Sequence, residues 1–297
     1  VVDHAQRDVI VVEVGPRDGL QNEAQPIPTD RKIAFIDALS AAGLPLIETT
    51  SFVNPRAVPQ LADASDVMLG ITRYPGVRYP VLVPNERGLE RALDAGVDAI
   101  ALFTAATDEF AQANVGTTIE GTFERFAPVI ERAKARGVWV RGYVSVAFGC
   151  PYAGPVSASS VASVTDQLLS AGCDEICLAD TIGVGTPDDV RVVLDSVSQS
   201  LPLHELALHF HDTTGNALHN VDLALARGVR MFDSAAGGLG GCPFAPGAPG
   251  NLATESLLAF LHRAGLRTGV DEDAISQATG LLRDWVPRLH SAATPRA

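Results

Sequence analysis

Eight runs of apolar residues, each followed by a stretch with amphipathic spacing, organise the chain. "VIVVEVG" (9–15) leads into "TDRKIAFIDALSAAG" (29–43), and "LIETTSF" (46–52) into a helix expected from about Val58. "YPVLVP" (79–84) is followed by "NERGLERALDAG" (85–96). "DAIALFTA" (98–105) is followed, after a loop, by "IEGTFERFAPVIERAKARG" (119–137). The later pairs begin with "VWVRGYVSVAF" (138–148), "DEICLADT" (174–181), "LALHFHDT" (206–213) and "MFDSAAGGLG" (231–240). Near-continuous apolar strands alternating with helices predict a parallel sheet covered on both faces. Eight such units predict an α/β fold of the closed TIM (β/α)8 barrel type. An open doubly wound sheet is the rival, but no G-x-G-x-x-G follows the first strand and no P-loop motif occurs. Residues 1–297 are expected to form one catalytic domain, with 266–297 a C-terminal helical extension.

In a barrel of this kind the chemistry gathers at the C-terminal ends of the strands. There the pattern places Arg17, Asp18 and Gln21 after strand one, and Glu48 and Ser51 on strand two. Arg141, Tyr143 and Ser145 fall on strand five, Asp180 and Thr181 on strand six, and His209 and His211 on strand seven. Cys242 and Asn251 follow strand eight. Side chains at i and i+2 of a strand share a face, so His209 and His211 point the same way. Closure of the barrel puts strand one beyond strand eight and brings Asp18 close to them. Two imidazoles, a carboxylate and the Asn251 carbonyl make a mixed nitrogen–oxygen set suited to Mg²⁺ or Mn²⁺ with bound water; Zn²⁺ or Co²⁺ fit it too. The competing reading is a pair of hydrogen-bonded core histidines.

Arg17 beside Asp18 reads either as a surface ion pair or as a stabiliser of a developing oxyanion. Glu48 and Asp180 are either site carboxylates or ion-pair partners of Arg17 and Arg141. Cys242 lies among glycines, which points to a loop that moves or lets a ligand approach closely, although cysteine is more often a small core residue.

Composition narrows the partners. The 297 residues are 46% hydrophobic and 19% charged, which excludes a disordered chain. With 22 basic against 35 acidic side chains the net charge is −13, and no basic stripe favours nucleic acid. No apolar run is long enough for a membrane helix, and no signal peptide is expected at the N-terminus. The 4 cysteines form no C-x-x-C pair, which fits a reducing compartment.

"VGPRDGLQNE", "IETTSFV", "VRGYVS", "GCPYAG", "DTIGVGTP", "HFHDTTGNAL" and "GGLGGCPFAPGAPGNLATE" together resemble the hydroxymethylglutaryl-CoA lyase family, in one register from about residue 10 to 270. That family belongs to a superfamily of metal-dependent barrel enzymes that make or break carbon–carbon bonds beside a carbonyl, Claisen-type synthases included. The resemblance implies cleavage of 3-hydroxy-3-methylglutaryl-CoA to acetyl-CoA and acetoacetate; the alternative is a related acyl-CoA lyase or a condensing synthase. It implies that Asp18, His209, His211 and Asn251 hold a divalent cation, Mg²⁺ or Mn²⁺. Arg17 would polarise the thioester carbonyl, with Cys242 as the loop acid/base. Glu48 and Asp180 would complete the polar site, and Gln21, Ser51, Asn114, Arg141, Tyr143 and Thr181 would line it. It further implies an acyl-CoA partner, a homodimer by analogy, and a cytoplasmic enzyme, or a matrix enzyme if a leader has been removed. The sequence departs from the family pattern at Thr214, where a Tyr is usual, and at Asn216, where a Gln is usual. Pro246 and Pro249 are further departures, bearing on loop motion and acyl preference. The tail "HSAATPRA" does not match the cysteine-bearing tail of the animal enzymes, so thiol regulation through it is not expected.

Overall fold

The computed structural model describes residues 7–21, 23–241 and 250–290. The barrel strands are β1 (Ile10–Glu13), β2 in two segments (Leu46–Ile47 and Thr50–Ser51), and β3 (Val81–Leu82). They continue with β4 (Ala99–Ala105), β5 (Trp139–Ser145), β6 (Glu175–Asp180), β7 (Leu206–Phe210) and β8 (Met231–Ser234). All pairings are parallel and each strand lies beside its neighbours in sequence. The two ends of the sheet order are the two segments of β2: one pairs with β1, the other with β3. Backbone bonds from Glu48 N–H to Glu13 O (2.8 Å) and from Thr49 N–H to Pro80 O (3.0 Å) bridge the gap. The sheet therefore closes on itself through β2, and β1 pairs with β8 as closure requires.

The helices are α1 (Thr29–Ala41), α2 (Ala64–Gly70), α3 (Glu86–Asp94), α4 (Asp108–Val115) and α5 (Ile119–Lys134). They continue with α6 (Ala158–Ala171), α7 (Pro187–Val197), α8 (Ala217–Ala226), α9 (Thr254–Arg263) and α10 (Glu272–Gly280). Side-chain caps start many of them. Asn85, Thr107, Thr118, Ser157 and Asp271 each accept a bond from a backbone N–H in the first turn, and Thr186 forms a reciprocal capping box with Asp189. Strand and helix apolar faces merge into a buried cluster running from Val9 to Leu289. Among the described residues no helix is long and apolar enough to cross a membrane.

Two expectations shift. The helix expected from Val58 begins later: Pro59–Leu61 makes one tight turn and α2 starts at Ala64. The expected loop between β4 and α5 contains α4, whose buried face is only Phe110 and Ala111. Its eight residues are too few for periodicity to register. After α9, α10 packs on α1, with Asp271 N–H bonded to Ala42 O at 2.9 Å. A last turn, Pro287–His290, brings Arg288 Nη1 to the carbonyls of Gly238 and Gly240, 3.2 Å from each.

Candidate active site and metal centre

β1 runs directly into a wide helical turn, Gly15–Gly19, which carries Arg17 and Asp18. His209 lies on β7 and His211 just past its end. One donor atom from each of Asp18, His209 and His211 lies within 4.8 Å of the others. Asn251 pairs with His211 in an isolated antiparallel bridge. Its Nδ2 donates to Asp18 Oδ2 and to Leu239 O, both at 2.9 Å. Gly240, at φ 96°, makes this approach feasible: a Cβ there would sit 2.6 Å from Asn251 Nδ2.

Four features fit this cluster to a divalent cation. Asn251 Oδ1 and His211 Nδ1 are buried yet have no hydrogen-bond partner, the state expected of atoms built to meet something else. His209 Nδ1 lies 3.3 Å from Asp233 Oδ2, which leaves Nε2 as the free donor. Burial, then the neighbouring His209, pushes His211 down to about 4, so its ring stays neutral and able to ligate. Burial would raise Asp18, but Arg17 first, then His209 and Asn251, outweigh it and hold the carboxyl well below the usual range.

Behind the cluster the barrel interior is ionic. Arg17 grips Glu48 with Nε (2.9 Å) and Nη2 (3.0 Å) while Nη1 reaches Asp18 Oδ1 at 2.6 Å. The Tyr143 hydroxyl accepts from Arg141 Nη1 (2.9 Å), donates to Glu48 Oε2 (2.8 Å) and lies 3.2 Å from Asp233 Oδ2. Arg141 Nη2 donates to Asp233 Oδ1 at 2.6 Å, and its Nε stands 2.8 Å from Glu175 Oε1 without hydrogen-bond alignment. Two guanidinium groups thus face Asp18, Glu48, Asp233 and Glu175. Burial pushes Glu175 up to about 7. Even with Glu175 protonated, three carboxylates face two guanidinium groups, and His209, which burial pulls down but Asp233 raises further, is the remaining titratable cation.

Above this floor opens a cavity of about 530 Å³. Arg17, Asp18, Tyr143, His209 and His211 reach it, and Gln21, Asn114 and Thr181 stand on its walls with Phe103, Phe110 and Tyr152. Not every expected site residue does. Arg141 is fully buried among its carboxylates, and Ser51 Oγ donates to Leu82 O and accepts from Val53 N–H, so neither lines the cavity. Glu48 stands behind Arg17. Asp180 also stands back: its oxygens accept from Val184 N–H (3.2 Å) and Gly185 N–H (2.9 Å), and burial pushes it up to about 6. It ties down the loop after β6. Thr181 Oγ1 accepts from Val146 N–H at 2.9 Å, where Val146 holds a strained φ of 54°. Thr214 Oγ1 donates to Gly183 O and Asn216 Nδ2 to Thr214 Oγ1, and both residues lie off the cavity wall. Cys242, Pro246 and Pro249 lie outside the described residues.

Three buried acids escaped the reading of strand ends: Glu175, which opens β6, Asp233 and Glu13. Asp233 is the third residue of β8, paired in register with His209. Glu13 ends β1 and accepts from Gly15 N–H, Ala236 N–H and Thr254 Oγ1 at 2.7–2.9 Å. Burial pushes it up to about 8. The available signal was an acid inside an otherwise apolar strand run, "VVEV" and "MFDS".

Fold and site together define a TIM-barrel enzyme with its polar centre at the C-terminal strand ends. The model of the HMGL-like family matches residues 8–282, and the chain belongs to that family. It is 50% identical over 291 residues to the mitochondrial hydroxymethylglutaryl-CoA lyase of Mus musculus, covering 98% of this chain and 90% of the relative. It is 53% identical over 270 residues to the cytoplasmic 3-hydroxy-3-methylglutaryl-CoA lyase of Rattus norvegicus, covering 91% and 79%. The crystal structure of the HMG-CoA lyase from Brucella melitensis superposes with a TM-score of 0.92 at 51% identity, covering 94% of this chain and 98% of that one. An HMG-CoA lyase from Acinetobacter baumannii, in complex with coenzyme A and 3-methylmalate, gives 0.90 at 38% identity, covering 97% and 96%.

Proposed function

We propose that this protein cleaves 3-hydroxy-3-methylglutaryl-CoA into acetyl-CoA and acetoacetate, using a divalent cation held by Asp18, His209, His211 and Asn251. The observation that carries the reading is the convergence of Asp18, His209 and His211 beside a clamped Arg17 on one cavity wall, in a chain of this family. Mg²⁺ or Mn²⁺ suits the nitrogen–oxygen donors, and the ion supplies Lewis acidity that lowers the pKa of the substrate's tertiary alcohol.

The bond to be broken joins the alcohol carbon to the carbon next to the thioester. As the alcohol loses its proton, its oxygen forms the ketone of acetoacetate and the bonding pair moves to the thioester fragment as an enolate. That proton passes to Asp18, which lines the cavity, or to Asp180, whose carboxyl burial pushes up to about 6. Arg17 meets the enolate oxygen. The two-point grip of Glu48 fixes the guanidinium plane in advance, so little reorganisation accompanies the reaction. Cys242 returns a proton to the enolate carbon. Gln21, Asn114, Tyr143 and Thr181 shape the acyl pocket, while Arg141 and Ser51 act at one remove by holding the residues that do. A single catalytic domain with 266–297 as its extension, a homodimer, and a cytoplasmic or matrix location complete the proposal; these rest on kinship rather than on geometry.

The test is acetoacetate formation by the purified protein from hydroxymethylglutaryl-CoA with added Mg²⁺ or Mn²⁺. Equal release of acetoacetate and acetyl-CoA is expected. No cleavage with either ion, or condensation of acetyl-CoA with an oxo acid instead, would overturn it.

A further inference from the structure

Lys32 is a buried cation outside the reaction cavity. It lies on α1, and its ammonium meets the segment that follows β2. Asp63 accepts from Nζ with both oxygens, at 2.8 and 3.0 Å, and the Gln60 carbonyl accepts from it as well. Thr29 Oγ1 adds a bond to Asp63 Oδ2 at 2.8 Å. A buried charge held this way fixes the tight turn Pro59–Leu61 against α1, because moving the turn would strand the ammonium without its partners.

The same turn aims the buried Gln60 side chain at the loop after β1. Gln60 Oε1 accepts from Ile27 N–H at 3.1 Å, and Nε2 donates to Gln25 O at 2.9 Å and to Glu23 O at 3.4 Å. Residues 24–27 form no backbone–backbone hydrogen bond among the described residues, so this one amide stands in for a partner strand. Glu23 follows Gln21 by two residues, and Gln60 follows Val58 by two. Gln21 on one loop, and Val53, Ala57 and Val58 on the other, all line the reaction cavity. The strut therefore ties together two loops that form one side of the cavity wall. Arg17 and the donor cluster are held separately, by Glu48 and by the strand ends.

We propose that Gln60, seated by Lys32 and Asp63, is a positioning residue that fixes the spacing of the loops after β1 and β2 and with it the fit of the cavity to its substrate. The inference rests on the acyl-CoA reading above and adds what holds the cavity to that substrate's width. Loosening the strut widens the cavity without touching the reacting groups, so it weakens binding and spares the chemical step. A strut that served folding alone would do the reverse: less folded enzyme, lower apparent turnover and an unchanged KM.

Steady-state assays and calorimetric titration of acetyl-CoA on Gln60→Leu and Lys32→Met separate the two. Each variant is expected to raise KM for hydroxymethylglutaryl-CoA about tenfold, with kcat within about threefold of wild type. Acetyl-CoA binding should weaken in parallel. Combining the two changes should cost no more than either alone, since both act through one strut. An unchanged KM, or a kcat that falls while KM holds, would overturn the proposal. Hydrogen exchange in the wild-type protein tests it without any variant: the Ile27 amide should be protected, and exchange at the rate of an unstructured chain would overturn it equally. Acetyl-CoA binding that depends on Gln60 in a protein that forms no acetoacetate would sink the lyase reading and leave the strut standing.

Discussion

Arg17 illustrates how much one side chain depends on its holder. Its guanidinium is buried, oriented by Glu48 and aimed along Asp18, so Arg17→Gln removes both the charge and the two-point grip. Turnover is expected to fall by about 10²–10³-fold, as for loss of an oxyanion donor, with an unchanged circular-dichroism spectrum. Asp233 acts one step further back. It engages His209 Nδ1 and is itself held by Arg141 Nη2, so Asp233→Asn should free the ring to turn and let Nδ1 and Nε2 exchange roles. Weakening of Mn²⁺ binding by about 10–100-fold, read by electron paramagnetic resonance of the free ion, is expected; unchanged binding would deny Asp233 that role. At this scale the histidine pair, Asp18 and Arg17 were legible in the sequence because their polarity interrupts apolar runs at strand ends. Asp233 was not, because its importance lies in its register opposite His209, which exists only once β7 and β8 pair.

Among the elements, the strands were the most legible. Parallel strands buried on both faces are selected for apolar residues throughout, so each announced itself. α4 was hidden by its brevity, and with it the reason Asn114 reaches the cavity: only the helix carries it there. The segment joining β8 to α9 makes a stability prediction through Glu13. This carboxyl bridges the turn after β1 to Ala236 and Thr254, and its folded pKa, about 8, lies above the ordinary 4.5. Between those values the folded state binds more protons than the unfolded chain, so stability falls as pH rises through the window. Glu175 and Asp180, raised to about 7 and about 6, push in the same direction. His211, held at about 4 against an ordinary 6.5, pushes the other way below pH 6.5, so calorimetric melting should show a Tm that drops from pH 6.5 to pH 8. Glu13→Gln, which mimics the protonated acid, should flatten that slope in part; an identical slope in wild type and variant would contradict the assignment. At the other end of the chain, Arg288 ties the last turn to the carbonyls of Gly238 and Gly240. Arg288→Ala should cost about 1 kcal/mol in denaturant unfolding.

For the molecule as a whole, closure of the sheet is what turns scattered residues into a site. Asp18 and Asn251 are separated by most of the chain yet bonded at 2.9 Å, because β1 docks on β8 and the segment after β8 returns to the barrel mouth. The barrel was legible as a count of eight strand–helix units; the ionic network inside it was not, since its members come from β2, β5, β6 and β8 and meet only on closure. A site assembled this way couples ion binding to folding. Mn²⁺ should raise the Tm progressively with concentration, and Asp18→Asn should abolish the rise, as mass action on the folded state requires.

The most direct test of a cation at the barrel mouth is anomalous diffraction from crystals soaked in Mn²⁺. A peak about 2.0–2.3 Å from one Asp18 oxygen and one nitrogen each of His209 and His211, with the Asn251 carbonyl turned toward it, is the expected result. An ion bound elsewhere, or an empty mouth at saturating Mn²⁺, would contradict it.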